Sequence, residues 1–195
     1  MNIDELKRLS LPKDRIEFLK KYLEECKEQG IDISWIGNVI YELHKMGYFS
    51  APAGANHHGN YAGGLFNHSI TVASQLVTIT NRMGLEWKES RSPLLVGLLH
   101  DICKVDQYVV KDFVDDRTLY EFDKHTFYKG HGDKSVMMLA SMLKLTDEEV
   151  ACIRYHMGAF TDSTEWEFYS RAVKAFPNVL WTHTADMLAS QCLGI

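Results

Sequence analysis

Apolar residues recur at three- and four-residue spacing along most of the chain, the period of helices buried on one face. Ile16, Leu19, Leu23 and Cys26 mark a first helix that opens at Pro12 and stops near Gly30. Asp32 is placed to cap a second helix through about Met46, with Ile33, Ile36, Ile40 and Leu43 on one face and Gly47 as its stop. Residues 1–47 thus read as an N-terminal helical hairpin packed on the core. Phe49–Gly64 breaks the pattern with Pro52 and four glycines, and reads as a long loop. A helix resumes near Leu65, with Ile70, Ala73, Val77 and Thr80 facing inward and His68 in its first turns. Pro93 starts the next stretch, Leu94–Lys104, read LLVGLLHDICK. It is apolar almost all round, so it belongs inside the protein.

The period then changes. Tyr108–Val114 and Arg117–Phe122 are β-rich with Asp115-Asp116 between them, which predicts a short hairpin near 108–122. Helical spacing returns after Gly130-His131-Gly132, with Val136, Leu139, Ala140 and Leu143 inward. Thr146 and Glu149 form a capping-box signature for a helix that ends near His156. Helices near Glu165–Ala175 and Asn178–Gln191 follow, broken at Pro177. The prediction is an all-α fold: a single bundle of seven or eight helices, one domain over 1–195, with a small inserted hairpin. No repeat, low-complexity segment or interdomain linker interrupts it.

Composition narrows the setting. The chain has 195 residues, 46% hydrophobic and 24% charged, as ordinary globular proteins do. A formal net charge of −5 argues against binding long nucleic acid, which needs a basic surface, and leaves room for a small anionic substrate. Cys26, Cys103, Cys152 and Cys192 form no Cys-x-x-Cys pair and read as reduced thiols. Met1–Ser10 is charged, without the apolar region of a signal peptide, and no window approaches a membrane span. A cytoplasmic protein is expected.

The candidate chemistry begins where the apolar stretch runs into His100 and Asp101. A carboxylate at the end of a buried helix is costly unless paired, and a bound cation would pair it. His68, His131, His156 and Asp186 lie at intervals of roughly two helices from this pair and from one another. Two antiparallel helices return the chain to the same end of a bundle, so all six residues can reach one site. Lys104 follows as a candidate phosphate anchor or a solvated helix-end lysine. The loop adds His57 and His58, either substrate contacts and proton donors or exposed histidines. His183 shares a helix face with Asp186, but no motif calls for it. Arg154, near His156, is a weaker candidate for phosphate.

In this order the segments FNHSITVA (66–73), GLLHDICK (97–104) and LWTHTADMLAS (180–190) resemble the core motifs of the HD superfamily of metal-dependent phosphohydrolases. GHGDKS (130–135) and YHMG (155–158) resemble the extra histidine segments of its dinuclear branches, and the likeness covers roughly Asn56–Ser190. NHHGNYAGGLFNH (56–68) looks like the loop before the first ligand in the HD domain of bacterial 3′→5′ exoribonucleases. The resemblance implies one or two divalent transition metals, Mn, Fe, Co, Ni or Zn, held by His68, His100, Asp101, His131, His156 and Asp186. Asp101 would bridge the two ions, and His131 and His156 would hold the second ion or contact phosphate. Asp101, Lys104, His57 and His58 would serve the reaction. It further implies a water activated by metal, attacking a phosphoester of a nucleotide or short oligonucleotide. A 3′→5′ single-strand nuclease, a non-catalytic nucleotide-binding module and di-iron oxygenase chemistry are the alternatives. Cys103 stands where such proteins often have glycine, as a small filler or a redox liability.

Overall fold

A computed structural model describes residues 3–56, 59–115, 117–128 and 130–195, and among them the periodic stretches form nine α-helices and one two-stranded sheet. They are α1 (Ile3–Lys7), α2 (Pro12–Glu28), α3 (Ile36–Lys45), α4 (Gly64–Met83), α5 (Ser92–Leu99), β1 (Tyr108–Val114), β2 (Arg117–Phe122), α6 (His131–Ala140), α7 (Asp147–Arg154), α8 (Trp166–Ala175) and α9 (Asn178–Met187). The fold is an all-α bundle of the expected kind with a β-hairpin appended.

The centre of the bundle is α4 against α5. Every residue of α5 is buried, as its unbroken apolar character requires. Gly97 is what lets the two helices meet. A Cβ at that position would stand 2.3 Å from the Ala73 Cα, closer than any side chain permits. One cluster of buried residues extends from Leu6 through α2, α3, α4, α5 and α7 to Ala189, so the N-terminal helices share the core.

Several local details differ from the sequence pattern, among them Ala140, expected inward on α6 but exposed one residue past the buried Leu139. Asp32 does not cap α3: its carboxylate accepts from the Ser34 N–H at 2.8 Å and makes a turn, and the helix starts only at Ile36. The competition is the usual one for aspartate, whose short side chain bonds its own nearby backbone. The inward face is consequently Ile36, Val39 and Leu43, with Ile33 and Ile40 only half-buried. At the other end, α9 widens after Met187 into a π turn over Leu188–Cys192 instead of continuing as an α-helix.

Other signals appear as drawn. Thr146 and Glu149 make a complete capping box at the start of α7. Glu149 is wholly buried and also accepts from Arg91 and Ser92, which ties the α5 entrance to α7. The hairpin pairs Tyr108 with Phe122 and Val114 with Arg117, with a bulge between Val110 and Asp112. Cys26, Cys103 and Cys152 are buried free thiols and Cys192 is exposed. Among the described residues no helix is long and apolar enough to cross a membrane.

Candidate metal centre

Five chain segments deliver ionisable side chains to one end of the α4–α5 pair. His68 sits in the second turn of α4, with its ring centroid 5.3 Å from that of His100. His100 is the residue at which α5 ends. The chain there leaves the α-helix: Asp101 opens a 3-10 turn over Ile102–Asp106, and the Lys104 N–H returns to the Asp101 carbonyl at 3.0 Å. The tighter turn puts residues three apart on one face, so Lys104 Nζ reaches Asp101 Oδ2 at 2.6 Å. His131 is the first residue of α6, His156 follows the end of α7, and Asp186 lies in the last turn of α9.

The imidazoles are fixed by backbone oxygens. His100 Nδ1 donates to Gly97 O at 2.9 Å and His156 Nδ1 to Ile153 O at 2.7 Å, each to the carbonyl three residues before it. His68 Nδ1 donates to Ile195 O at 2.9 Å, so the last residue described reaches back to the first candidate ligand. A carbonyl can only accept, so these bonds put the proton on Nδ1 and leave the Nε2 lone pair for the site.

Those Nε2 atoms face two carboxylates. His68 Nε2 is 3.2 Å from Asp186 Oδ1 and 3.7 Å from Asp101 Oδ2. His100 Nε2 is 3.5 Å from Asp101 Oδ2, and His156 Nε2 is 3.4 Å from Asp101 Oδ1. His131 Nδ1 stands 3.9 Å from the same Oδ1. Asp101 therefore presents one oxygen to each half of the cluster. His100 Nε2, His156 Nε2 and Asp101 Oδ1 are buried without a hydrogen-bond partner, an arrangement that folded proteins avoid unless another group satisfies it. Donors on one ion at 2.0–2.2 Å stand about 3–3.6 Å apart, close to the spacings seen. Among the described residues, three sets could hold a metal: His68, His100 and Asp101; His100, His156 and Asp186; and Asp101, Cys103 and His131, each with donor atoms within 4.8 Å of one another. Imidazole and carboxylate donors fit a divalent transition metal.

Protonation follows from burial and from the two carboxylates. Burial pushes His100 down to about 4 although Asp101 pulls the other way. Burial also lowers His131, but for His156 the facing Asp101 outweighs it and the shift is upward. Burial would raise both acids, yet Lys104 and His100 hold Asp101, and His68 and His100 hold Asp186, well below the usual carboxylate range. Burial pushes the Cys103 thiol up to about 12.

A cavity of about 210 Å³ opens onto the cluster. Asp101, Lys104, His131 and Asp186 line it, with Tyr108 from the hairpin base and Ala53 and Gly54 from the long loop. That loop is anchored by Arg15, whose buried guanidinium donates to the backbone oxygens of Leu9, Phe49 and Ala62. His57 and His58 lie outside the described residues. Lys104 is buried and paired with Asp101, unlike a solvated helix-end lysine. Arg154 is engaged by Asp133 and Glu165 and does not line the cavity.

His183 was the residue the motifs did not single out. It lines the cavity and donates from Nδ1 to His156 O at 2.9 Å. Its three-residue spacing from Asp186 was the available signal, since both must then share a face of α9. Lys134 also escaped notice; it is buried and bonded to Asp106 and Thr126, pinning α6 to the 3-10 turn.

The fold and the cluster define a helical protein with a histidine–aspartate centre able to hold divalent metal. A model of the HD domain family matches residues 65–179, more than half of the chain, and the chain belongs to that family, whose superfamily is that of the metal-dependent phosphohydrolases. No curated protein and no solved structure gives a significant match.

Proposed function

We propose that this protein is a metal-dependent phosphohydrolase that cleaves a phosphoester of a nucleotide or short oligonucleotide. The observation that carries the reading is Asp101, one carboxylate faced by four histidines and a lysine. His68, His100, Asp101 and Asp186 would hold one divalent ion, and Asp101, His131 and His156 a second. Ions so placed lower the pKa of a bound water and offset charge on the phosphoryl oxygens. The residues do the rest. Backbone carbonyls keep His68, His100 and His156 in the tautomer that offers Nε2. Asp101 shares its two oxygens between the halves of the site. Lys104, paired with Asp101 Oδ2, would be freed by a cation held there, and its ammonium would then be available to a phosphate oxygen.

Metal content decides first. Protein purified without chelator should carry one to two transition metals per chain, and Asp101→Ala should carry none. The loaded protein should then release phosphate or nucleoside from nucleotides or dinucleotides. Metal-loaded protein that cleaves no phosphoester in such a panel would overturn the reading.

A second reading, a 3′→5′ single-strand nuclease, draws support from a separate cavity of about 700 Å³ lined by Lys7, Arg8, Arg15 and Arg117. Basic side chains along a groove suit a strand of phosphates. Incubation with single-stranded RNA and DNA ladders separates the two: stepwise shortening favours the nuclease, and intact ladders with hydrolysed nucleotides favour the first reading.

A further inference from the structure

We propose that Cys103 is a sulfur ligand of the second ion, completing with Asp101, His131 and His156 a set of four donors. The inference rests on the metal-dependent reading above and adds to it a residue that the histidine and aspartate motifs do not contain.

The placement is specific. Cys103 Sγ lies 3.8 Å from His131 Nδ1, the same nitrogen that faces Asp101 Oδ1 at 3.9 Å. Cys103, Asp101 and His131 offer donor atoms that all fall within 4.8 Å of one another. His156 Nε2 approaches the same carboxylate oxygen, 3.4 Å from Asp101 Oδ1. Two of these atoms, Asp101 Oδ1 and His156 Nε2, are buried with no hydrogen-bond partner, on residues 3% and 1% exposed. They are what a sulfur atom alone would lack: an independent sign that something belongs between them.

Cys103 is also held in place. It is fully buried on the first turn after Asp101, its backbone N–H donates to Ser135 Oγ at 3.3 Å, and its thiol points at Gln107 Oε1 at 3.7 Å. A carboxamide oxygen is a weak partner for a thiol, and losing it to an ion costs little. Among the described residues, no group of donors that could hold a metal contains Cys26, Cys152 or Cys192.

The chemistry balances simply. Binding a divalent ion forms one metal–sulfur bond, breaks the S–H bond and releases one proton to solvent, with no change of oxidation state. Metal preference changes with it. A carboxylate with two imidazoles suits manganese or iron as well as zinc, whereas a thiolate favours the softer ions, zinc above manganese. The two ions would then differ in kind, with a nitrogen–oxygen site at His68, His100 and Asp186 and a sulfur-containing site at His131 and His156.

Cobalt(II) reads this directly, because a thiolate ligand gives a charge-transfer band in the near ultraviolet that nitrogen and oxygen ligands do not. Chelator-treated full-length protein is titrated with cobalt(II) chloride and followed by absorption, with bound metal counted after gel filtration. The expected result is a thiolate band that grows with one of two equivalents. It is absent in Cys103→Ser and Cys103→Ala, unchanged in Cys192→Ser, and accompanied in the Cys103 variants by at least tenfold weaker binding of that equivalent. Circular dichroism establishes that each variant is folded, and the wild-type spectrum decides even where a variant is not. Two cobalt ions bound by wild type without the band, or a band that survives in folded Cys103→Ala, overturns the proposal and leaves the phosphohydrolase reading standing. Binding of no cobalt at all overturns both.

Discussion

Lys104 and Asp101 form a buried ion pair, Nζ to Oδ2 at 2.6 Å, at the point where a divalent cation would have to bind. A metal held as proposed would therefore compete with the lysine for one oxygen. In metal-free protein, Lys104→Met leaves Asp101 as a buried carboxylate without its strongest partner, and removal of one member of such a pair costs about 3–5 kcal/mol. With metal bound the ion supplies the positive charge, and the loss should fall below about 1 kcal/mol. Urea unfolding with chelator and with manganese or zinc measures both. Equal losses under the two conditions would contradict the competition.

Metal-free protein should also show His100 as a neutral ring at mildly acidic pH. Burial holds its pKa at about 4, against about 6.5 in the unfolded chain. The unfolded state therefore takes up a proton that the folded state refuses. The stabilising contribution is complete above pH 6.5 and is lost as pH falls from there toward about 4, with a full extent of about 3 kcal/mol. Nitrogen-15 NMR of the imidazole should show no protonation above about pH 5. A His100 titration near 6.5 would refute it.

Gly158 supports His183 by having no side chain. It adopts φ +54°, and a Cβ would lie 2.4 Å from His183 Cγ. Gly158→Ala should cost about 2–3 kcal/mol, roughly half from the left-handed backbone and the rest from the clash. The His183 Nδ1 bond to His156 O would be lost with the displaced ring. In a His183→Ala background the same substitution should cost only the backbone part, about 1 kcal/mol. Thermal unfolding of the four proteins gives the comparison.

Glu149 is the hub on the far side of α5, accepting from the Thr146 N–H, Arg91 and Ser92 while fully buried. Glu149→Ala leaves Arg91 only the Lys144 carbonyl, removes the acceptor of Ser92 and the Thr146 N–H, and should cost about 3 kcal/mol. Thr146→Ala removes one cap bond alone and should cost about 1 kcal/mol. Chemical denaturation distinguishes them, and near-equal losses would reduce Glu149 to a cap residue.

Legibility varied with how local the cause was. The hairpin limits at Tyr108–Val114 and Arg117–Phe122 and the Thr146–Glu149 box were readable because period and capping depend on a few neighbouring residues. Asp32 was misjudged because turn and cap use the same carboxylate, and Ser34 took it. The π turn after Met187 left no mark that periodicity could detect. In the candidate centre, His68, His100, Asp101, His131, His156 and Asp186 were visible as residue types at two-helix intervals. His183 was visible only as a neighbour of Asp186 on one helix face; its bond to the His156 carbonyl joins two segments far apart in the chain and left no local mark.

The sequence by itself determined the helical class, the hairpin and the set of ionisable residues, because hydrophobic period and residue chemistry are properties of short stretches. Only the tertiary structure decided which atoms face one another. The Gly97–Ala73 approach brings α5 against α4, and the 3-10 turn after His100 brings Lys104 onto Asp101 and puts Cys103 beside Asp101 and His131. Ile195 returns over the length of the chain to fix the His68 ring. Those relations arise from packing and from backbone carbonyls supplied by distant segments, and no local pattern encodes them.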